Sequence, residues 1–552
     1  MIKPTFILLL SLWALALAPV AMAQVVSLAP LKPQVGEMLT ITYNPKASGA
    51  KLTADEDVYA IGQIYFPERK SIVFKMGKVG DAYQREFKAP ADLNYIHFFF
   101  RTVNAIDREA DVETMLYRAD GEPVRNAYLS KLISRREYPF SESGLFRQEL
   151  DLYPDNYAAY VYKWDSAYSK QNIYFGPSIE DLLLVNEDLE LIEKEAEPHS
   201  TEYQYAKAMS SVEMKNSDEF MAVIKQMLTE HEASPLTWTA LELFLDRARS
   251  KRETSEEVKA LERIQWELIQ HYPYSQIARD RLRAFAWSDD FFNPKSEFPS
   301  AGLEQIADQW IEDEPDNPFP RIYLARLYYD REQKSERALE LVEQALPLYE
   351  DGRYQLYMNS EKFYATENLL ADGFLLSARL HFRLQKLPEA FVRVKAARMH
   401  YQESPFKQIE FKTYALEARI LQAQSNLMAA ETAYLTAWIN GYDEAEAGLK
   451  EIYQKRKGTL DGFAAYLRGK RDELFGAESA PAFNVTTLGG QKLDLEKLKG
   501  KVVVLNFWST GCDSCEAEIA GLNRDGKLTQ RITYGGVNRL KRLRALINYA
   551  LY

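Results

Sequence analysis

Glu314-Pro315-Asp316-Asn317-Pro318-Phe319-Pro320-Arg321-Ile322-Tyr323-Leu324-Ala325-Arg326-Leu327-Tyr328-Tyr329, with Ala338-Leu339 and Ala345-Leu346 beyond it, decides the fold of the middle of this chain. Pro suits the first turn of a helix, which leaves its N–H groups unpaired, and a polar residue beside it can cap that turn. Large and small apolar residues then recur at helical spacing, and a second Ala-containing stretch follows. The pattern predicts one helix with a second packed on it.

Working outward, similar openings stand at Tyr153-Pro154-Asp155-Asn156 and Tyr272-Pro273-Tyr274-Ser275. Small-residue second helices recur at Glu389-Ala390 to Ala397 and at Ala429-Ala430 to Ala437. The order of large residue, small residue and Ala-containing second helix resembles a tetratricopeptide repeat, at irregular spacing. Residues 126–475 are therefore expected to form an α-solenoid of helix pairs. Such an array buries its apolar faces between neighbours and leaves a concave surface, so a protein or peptide partner is expected there; a plain spacer is the alternative. The 6 histidines, His97, His199, His231, His271, His381 and His400, are scattered and read as surface or packed side chains. Mixed Glu/Lys stretches such as Glu187 to Glu197 read as solvated helix faces.

Upstream, residues 24–120 favour strands. Leu39, Ile41 and Tyr43 alternate with Thr40 and Thr42, and runs follow at Tyr59 to Phe66, Ser71 to Phe74 and Tyr95 to Val103. Pro33, Gly36, Asn44-Pro45, Pro67, Gly77, Gly80 and Pro90 punctuate them. A small antiparallel β-sandwich, similar to an immunoglobulin-like or carbohydrate-binding module, is predicted. Its aromatics Tyr59, Tyr65, Tyr95, Phe98, Phe99 and Phe100 are expected in the core rather than on a sugar platform.

The extreme N-terminus, 1–23, carries Lys3, an apolar run from Phe6 to Val20 and Ala21-Met22-Ala23, which fits a signal peptide cleaved before Gln24. That run is shorter than the ~20 residues needed to cross hydrocarbon. No other stretch is apolar enough, so no integral membrane segment is expected after cleavage, and no Cys follows the run to carry a lipid. An exported protein, periplasmic or extracellular and bacterial, is the expectation. At 552 residues the chain exceeds a single core, and about three units are expected. A hydrophobic content of 46% excludes a disordered chain, and the formal charge of −12 makes nucleic acid an improbable partner because phosphate backbones would be repelled.

Near the C-terminus, Gly476 to Ser479 reads as a linker, Pro481 to Val485 as an edge strand, Leu488-Gly489-Gly490-Gln491 as a turn and Leu493 to Leu498 as a short helix or loop. Val502-Val503-Val504-Leu505-Asn506-Phe507-Trp508 reads as a parallel strand buried on both faces. Ser509-Thr510-Gly511-Cys512-Asp513-Ser514-Cys515 then leads into Glu516 to Leu522, a predicted helix. A thiolate is the nucleophile of disulfide exchange, and unpaired amides at a helix N-terminus lower a thiol's pKa. Cys512 is placed to be that nucleophile. Cys515, under the first turn, is placed to resolve the mixed disulfide.

Ala480-Pro481-Ala482-Phe483, Gly500 to Trp508 and Cys512-x-x-Cys515 with Glu518 together are similar to the TlpA/ResA-type branch of thioredoxin-like thiol–disulfide oxidoreductases. The resemblance covers about Ala480 to Asn523 and implies a thioredoxin-like α/β unit acting on protein thiols and disulfides. It implies Cys512 and Cys515 as the catalytic pair, Trp508 and Glu518 as supporting residues, and no metal or organic cofactor. Gly511 stands where many relatives have Trp, which should loosen packing over the nucleophile. With 2 Cys and no His after His400, a structural zinc site would need ligands from another chain. A peroxiredoxin-like antioxidant would usually carry Pro and Thr where Leu505 and Ser509 stand. An inert structural disulfide is a third alternative, although so tight a loop usually marks a redox pair.

A complete domain of that family continues with further strands, a cis-proline loop and a final helix, yet no Pro follows Pro481. The unit at 480–524 is therefore expected to be incomplete, with the reading frame lost near Asn523 or Arg524 and activity placed in question. Residues 525–552 form an aberrant basic tail containing Lys527, Arg531, Arg539, Lys541, Arg542 and Arg544. A basic amphipathic helix over Val537 to Leu551 is one expectation for it. The whole is read as a multidomain α+β chain: β-sandwich, central α-solenoid and partial thioredoxin-like unit. Its function is read as disulfide exchange, with a non-catalytic repeat scaffold as the alternative.

Overall fold

The computed structural model describes residues 24–53, 55–135, 143–169, 179–213, 217–250, 256–287, 300–358, 366–403, 410–475, 484–486, 492–494, 497, 502–509, 528–535 and 543–550. The expected signal peptide and the linker 476–479 lie outside them. The chain divides into two compact units, 1–452 and 453–552.

The first unit begins with eight strands, β1 (Val26–Ala29), β2 (Met38–Tyr43), β3 (Tyr59–Ile64), β4 (Lys70–Lys75), β5 (Gly77–Val79), β6 (Ala82–Lys88), β7 (Tyr95–Arg101) and β8 (Ile106–Met115). They form two 4-stranded sheets, ordered β1-β2-β6-β5 and β4-β3-β7-β8, with every pairing antiparallel. Period-two patterning makes this possible: Leu39, Ile41 and Tyr43 are fully buried, and Thr40 and Thr42 between them are not. The same core takes Ala60, Ile96, Phe98 and Phe100 from the second sheet. Tyr59, Tyr95, Phe98 and Phe100 are buried, which leaves them no face for a sugar. Inside the core, the Tyr43 hydroxyl donates to Asp107 at 2.8 Å and accepts from the Leu52 amide, and burial pushes that hydroxyl's pKa up to about 12.

Helices fill the rest of the unit, and the capped openings lie between them. Ser275 and Asn317, at 3% and 1% exposure, cap the helices that follow them, whereas the expected cap at the fully buried Asn156 does not form: its Nδ2 donates to Asn126 and Glu149, and its Oδ1 takes no hydrogen bond among the described residues. Ser275 Oγ accepts from the Ala278 amide at 3.2 Å, and Asn317 Oδ1 accepts from the Phe319 amide at 3.0 Å. Each satisfies a donor that a helix start would otherwise orphan.

Three helix pairs repeat most closely: Phe319–Asp330 with Ser335–Glu350, Thr366–Arg383 with Leu387–Glu403, and Glu410–Ala423 with Leu427–Ile439. Each second helix buries two alanines about two turns apart, Ala338 and Ala345, Ala390 and Ala397, Ala430 and Ala437, all at 0% exposure. Small residues on one face let the paired helices approach. Each first helix ends in the same turn, with Glu332, Gln385 and Ser425 at φ of 55°, 59° and 63°. The following amides of Gln333, Lys386 and Asn426 donate back to the carbonyls of Tyr328, His381 and Leu421. This is a Schellman closure built without glycine.

Among its described residues the second unit holds the helix Phe463–Phe475 and five strands. β9 (Asn484–Thr486) and β10 (Lys492–Asp494) pair antiparallel, so Leu493 lies on a strand where the sequence reading expects helix or loop. β11 (Val502–Ser509) pairs with β13 (Leu543–Ala550), which also pairs with β12 (Leu528–Gly535), giving the order β11-β13-β12. The β11 pairing is antiparallel, against the expected parallel strand, because an apolar run reports burial and not direction. The expected amphipathic helix over 537–551 is likewise replaced, at 543–550, by a strand. Leu543, Ala545, Ile547 and Tyr549 alternate there with period two, which competes with the helical reading.

Candidate functional site

The dithiol follows β11, whose last residue is Ser509. The strand's register places Trp508 opposite Arg544 and Asn506 opposite Leu546. Cys512, Cys515 and Glu518 lie outside the described residues. β11 therefore fixes where the chain leaves the sheet ahead of Cys512, and the chemistry of the pair rests on residue type and order.

The histidines are packed or paired locally, as their scatter suggested. His97 faces Asp111 at 2.9 Å, His199 faces Glu230 at 3.1 Å, and His231 bonds the His199 carbonyl. His271 lies 3.8 Å from Glu232, His381 lies 3.7 Å from Glu343, and His400 stacks on Phe374. Burial lowers the His381 pKa, with Glu343 opposing it.

Sequence reading missed a cavity of about 490 Å³ in the first unit. One side is the connection after β3, where Tyr65, Pro67, Glu68 and Arg69 lie. The other side comes from the helices Ala158–Ser169, Thr201–Glu213, Pro235–Ser250 and Gln276–Trp287, which supply Tyr162, Trp164, Tyr205, Glu242 and Asp280 among others. No spacing in the chain could have disclosed it, because its walls come from segments far apart in sequence. Gln276 joins two of its carboxylates: its backbone N–H donates to Glu68, and its side-chain amide donates to Asp280 at 3.1 Å. Burial raises the Glu68 pKa, the Gln276 amide and Lys70 opposing it. Asp280 is open to solvent on one side, yet the surrounding protein desolvates its carboxyl and raises its pKa, the Gln276 amide again opposing. Glu242 is met by Gln265 and by the Arg281 guanidinium.

The C-terminal segment is thioredoxin-like: residues 477–537, which include both cysteines and extend past Arg524, match the AhpC/TSA family. Among individual relatives, 64 residues, 11% of this chain, are 42% identical to the thiol-disulfide oxidoreductase ResA of Bacillus thuringiensis (strain Al Hakam), of which the match covers 37%. Over 47 residues, 8% of this chain, it is 43% identical to the thioredoxin-like protein YneN of Bacillus subtilis (strain 168), covering 28% of that protein. The chain thus spans well under half the length of these relatives. A solved structure titled as the APC/C hetero-tetramer Cut9-Hcn1 aligns with 59% of this chain and 55% of that chain, at 12% identity and a TM-score of 0.24, a likeness that carries no argument. No helix among the described residues is long and apolar enough to cross a membrane.

Proposed function

We infer that this chain is an exported thiol–disulfide oxidoreductase-like protein, in which Cys512 and Cys515 exchange disulfides with protein substrates. The observation that carries the reading is the order strand, short connection, Cys512-Asp513-Ser514-Cys515 within the segment 477–537 that matches the AhpC/TSA family, in a chain part of which is similar to thiol–disulfide oxidoreductases. In the reductive direction the Cys512 thiolate attacks one sulfur of a substrate disulfide, forming a mixed disulfide and releasing the other sulfur as a thiolate. Cys515 then attacks Cys512 Sγ, which frees the second substrate thiol and leaves the Cys512–Cys515 disulfide. Two electrons pass to the substrate, and an external dithiol must return them. Run backwards, the same steps oxidise a substrate; the relative stability of the two sulfur states sets the direction. The exchange uses sulfur alone and needs no metal or organic cofactor. The resemblance implies Trp508 and Glu518 as supporting residues.

Export rests on Lys3, the apolar run Phe6 to Val20 and Ala21-Met22-Ala23. The recurrent Ala pairs and identical closing turns of the three helix pairs support an α-solenoid of tetratricopeptide-like repeats, with a protein or peptide held on its concave face. Leu505 and Ser509 weigh against the peroxiredoxin alternative.

The test is thiol trapping on the full chain. Cys515→Ser should accumulate a mixed disulfide with a reduced-and-reoxidised model protein, and Cys512→Ser should abolish it. Cys512 should also react with an alkylating probe faster than Cys515. Equal trapping by Cys512→Ser would remove the oxidoreductase reading.

A further inference from the structure

The cavity between the β3–β4 connection and the helices is built from both apolar and acidic side chains. It is within the ~300–1,000 Å³ range of small-molecule sites, and its walls are mostly aromatic and aliphatic with a few convergent polar groups. Tyr65, Tyr162, Trp164 and Tyr205 give it flat apolar faces. Three of these rings are held by contacts of their own. The Tyr65 hydroxyl donates to Gln63 at 2.7 Å, Tyr162 meets the Phe66 ring edge-on at 5.8 Å, and Trp164 Nε1 donates to Asp188 at 2.8 Å.

Charge decides what would enter. The wall carries Glu68, Glu242 and Asp280 against one cation, Arg69, which is exposed and lies over the Tyr65 ring at 5.8 Å. Glu242 is neutralised by Arg281. Glu68 and Asp280 make no ion pair among the described residues, and Glu68 Oε1 is buried with no hydrogen-bond partner. Gln276 bonds both carboxylates, so the two stand together, one on the β-connection and one on a helix.

We propose that this cavity binds an alkylammonium group, its charge held by Glu68 and Asp280 and its hydrocarbon stem laid against Tyr65, Tyr162, Trp164 and Tyr205. An ammonium supplies the opposite charge and a donor for Glu68 Oε1, which has none, and it is attracted to aromatic faces. A free diamine and a lysine side chain carry the same chemistry. The site is independent of the dithiol and is assigned from the first unit alone.

Calorimetric titration of the full chain with 1,5-diaminopentane, with 1,5-pentanediol as its neutral counterpart, tests it. The diamine should bind saturably and the diol should not. Glu68→Gln with Asp280→Asn should weaken the diamine at least tenfold while circular dichroism and the melting temperature stay as in the parent. Affinity should also fall as the pH is lowered and the two carboxyls take up protons, a step that Lys70 and Arg279 beside Glu68 and Arg281 and Arg283 beside Asp280 oppose and Glu242 favours. A short acetylated lysine amide binding more tightly than the diamine would assign the site to a protein lysine, and the reverse to a free amine. No saturable diamine binding, equal binding of the diol, or full binding by the folded double variant would each overturn the proposal.

Discussion

Replacing Glu149 with Ala should detach the helix Ala127–Arg135 from the body of the first unit. Glu149 is fully buried, and its carboxylate is the point on which three segments converge. Oε1 accepts from the Asn126 amide at 2.7 Å and from Asn156 Nδ2 at 2.7 Å, and Oε2 accepts from the amides of Tyr128 at 3.1 Å and Leu129 at 3.3 Å. It thereby caps the start of that helix with negative charge, where the dipole favours it. Burial raises the carboxyl's pKa and these donors pull against the rise. Truncation removes the acceptor and strands the donors in a space with little room for water. At ~1–3 kcal/mol for each buried donor left unpaired, less what solvent entry recovers, the loss is about 4 kcal/mol. Hydrogen exchange followed by mass spectrometry reads it locally: protection of the Tyr128 and Leu129 amides should drop by roughly a thousandfold, at ~1.4 kcal/mol per tenfold. Glu149→Gln keeps the shape and one oxygen but turns an NH₂ toward the donors, and should lie between. A change of less than tenfold in Glu149→Ala would refute the capping argument.

A pair of glycine substitutions should move stability in opposite directions. Gly448→Ala sets a methyl against the Tyr434 ring, so overpacking of ~1–3 kcal/mol outweighs the ~1 kcal/mol that Ala contributes in a helix, and the melting temperature should fall. Gly469→Ala, in the helix Phe463–Phe475 with open space around it, should raise it. Glu113 titrates with the opposite sign to Glu149. Burial raises its carboxyl, but hydrogen bonds from Arg135, Tyr95 and Lys131 win and lower it from 4.5 to about 2. Its stabilisation is therefore present above pH 4.5 and is lost as pH falls toward 2, by about 2 kcal/mol after allowance for partial exposure. Glu113→Gln should abolish that acid-dependent loss in melts between those pH values; an unchanged pH profile would contradict it.

What could be read from the sequence was whatever local periodicity encodes. Leu39, Ile41 and Tyr43 announced a buried strand face, and Ser275 and Asn317 announced helix starts, because strand alternation and capping are satisfied within a few residues. The closing turns at Glu332, Gln385 and Ser425 stayed hidden since no glycine marks their left-handed backbone. The partner of β11 was misjudged for a related reason: an apolar run states that both faces are covered and is silent on what pairs with its edges. Glu68 and Asp280 were invisible as a pair, because only the packing of a β-connection against a distant helix brings them to one residue, Gln276.

The strands and helices of the first unit are welded by buried polar contacts as well as by apolar ones. Phe66, just after β3, belongs to the helical core, and Tyr59 and Ile61 of β3 share a cluster with Leu356 of the turn Arg353–Tyr357. Arg101 is 6% exposed and donates to the Gln355 carbonyl at 2.5 Å; burial depresses its pKa to about 10, and Tyr354 opposes the fall. Asn94 accepts from the Ser130 hydroxyl at 2.7 Å and donates to the Phe66 carbonyl at 3.1 Å. Pulling the sheets from the helices would leave each of these groups without its partner, which opposes the relative motion that ordinary interdomain surfaces allow. The cavity lies across this weld, so Glu68 and Asp280 are held in place before any ligand arrives. Little ordering cost then falls on binding, and most of the attraction between an ammonium and those carboxylates can appear as affinity.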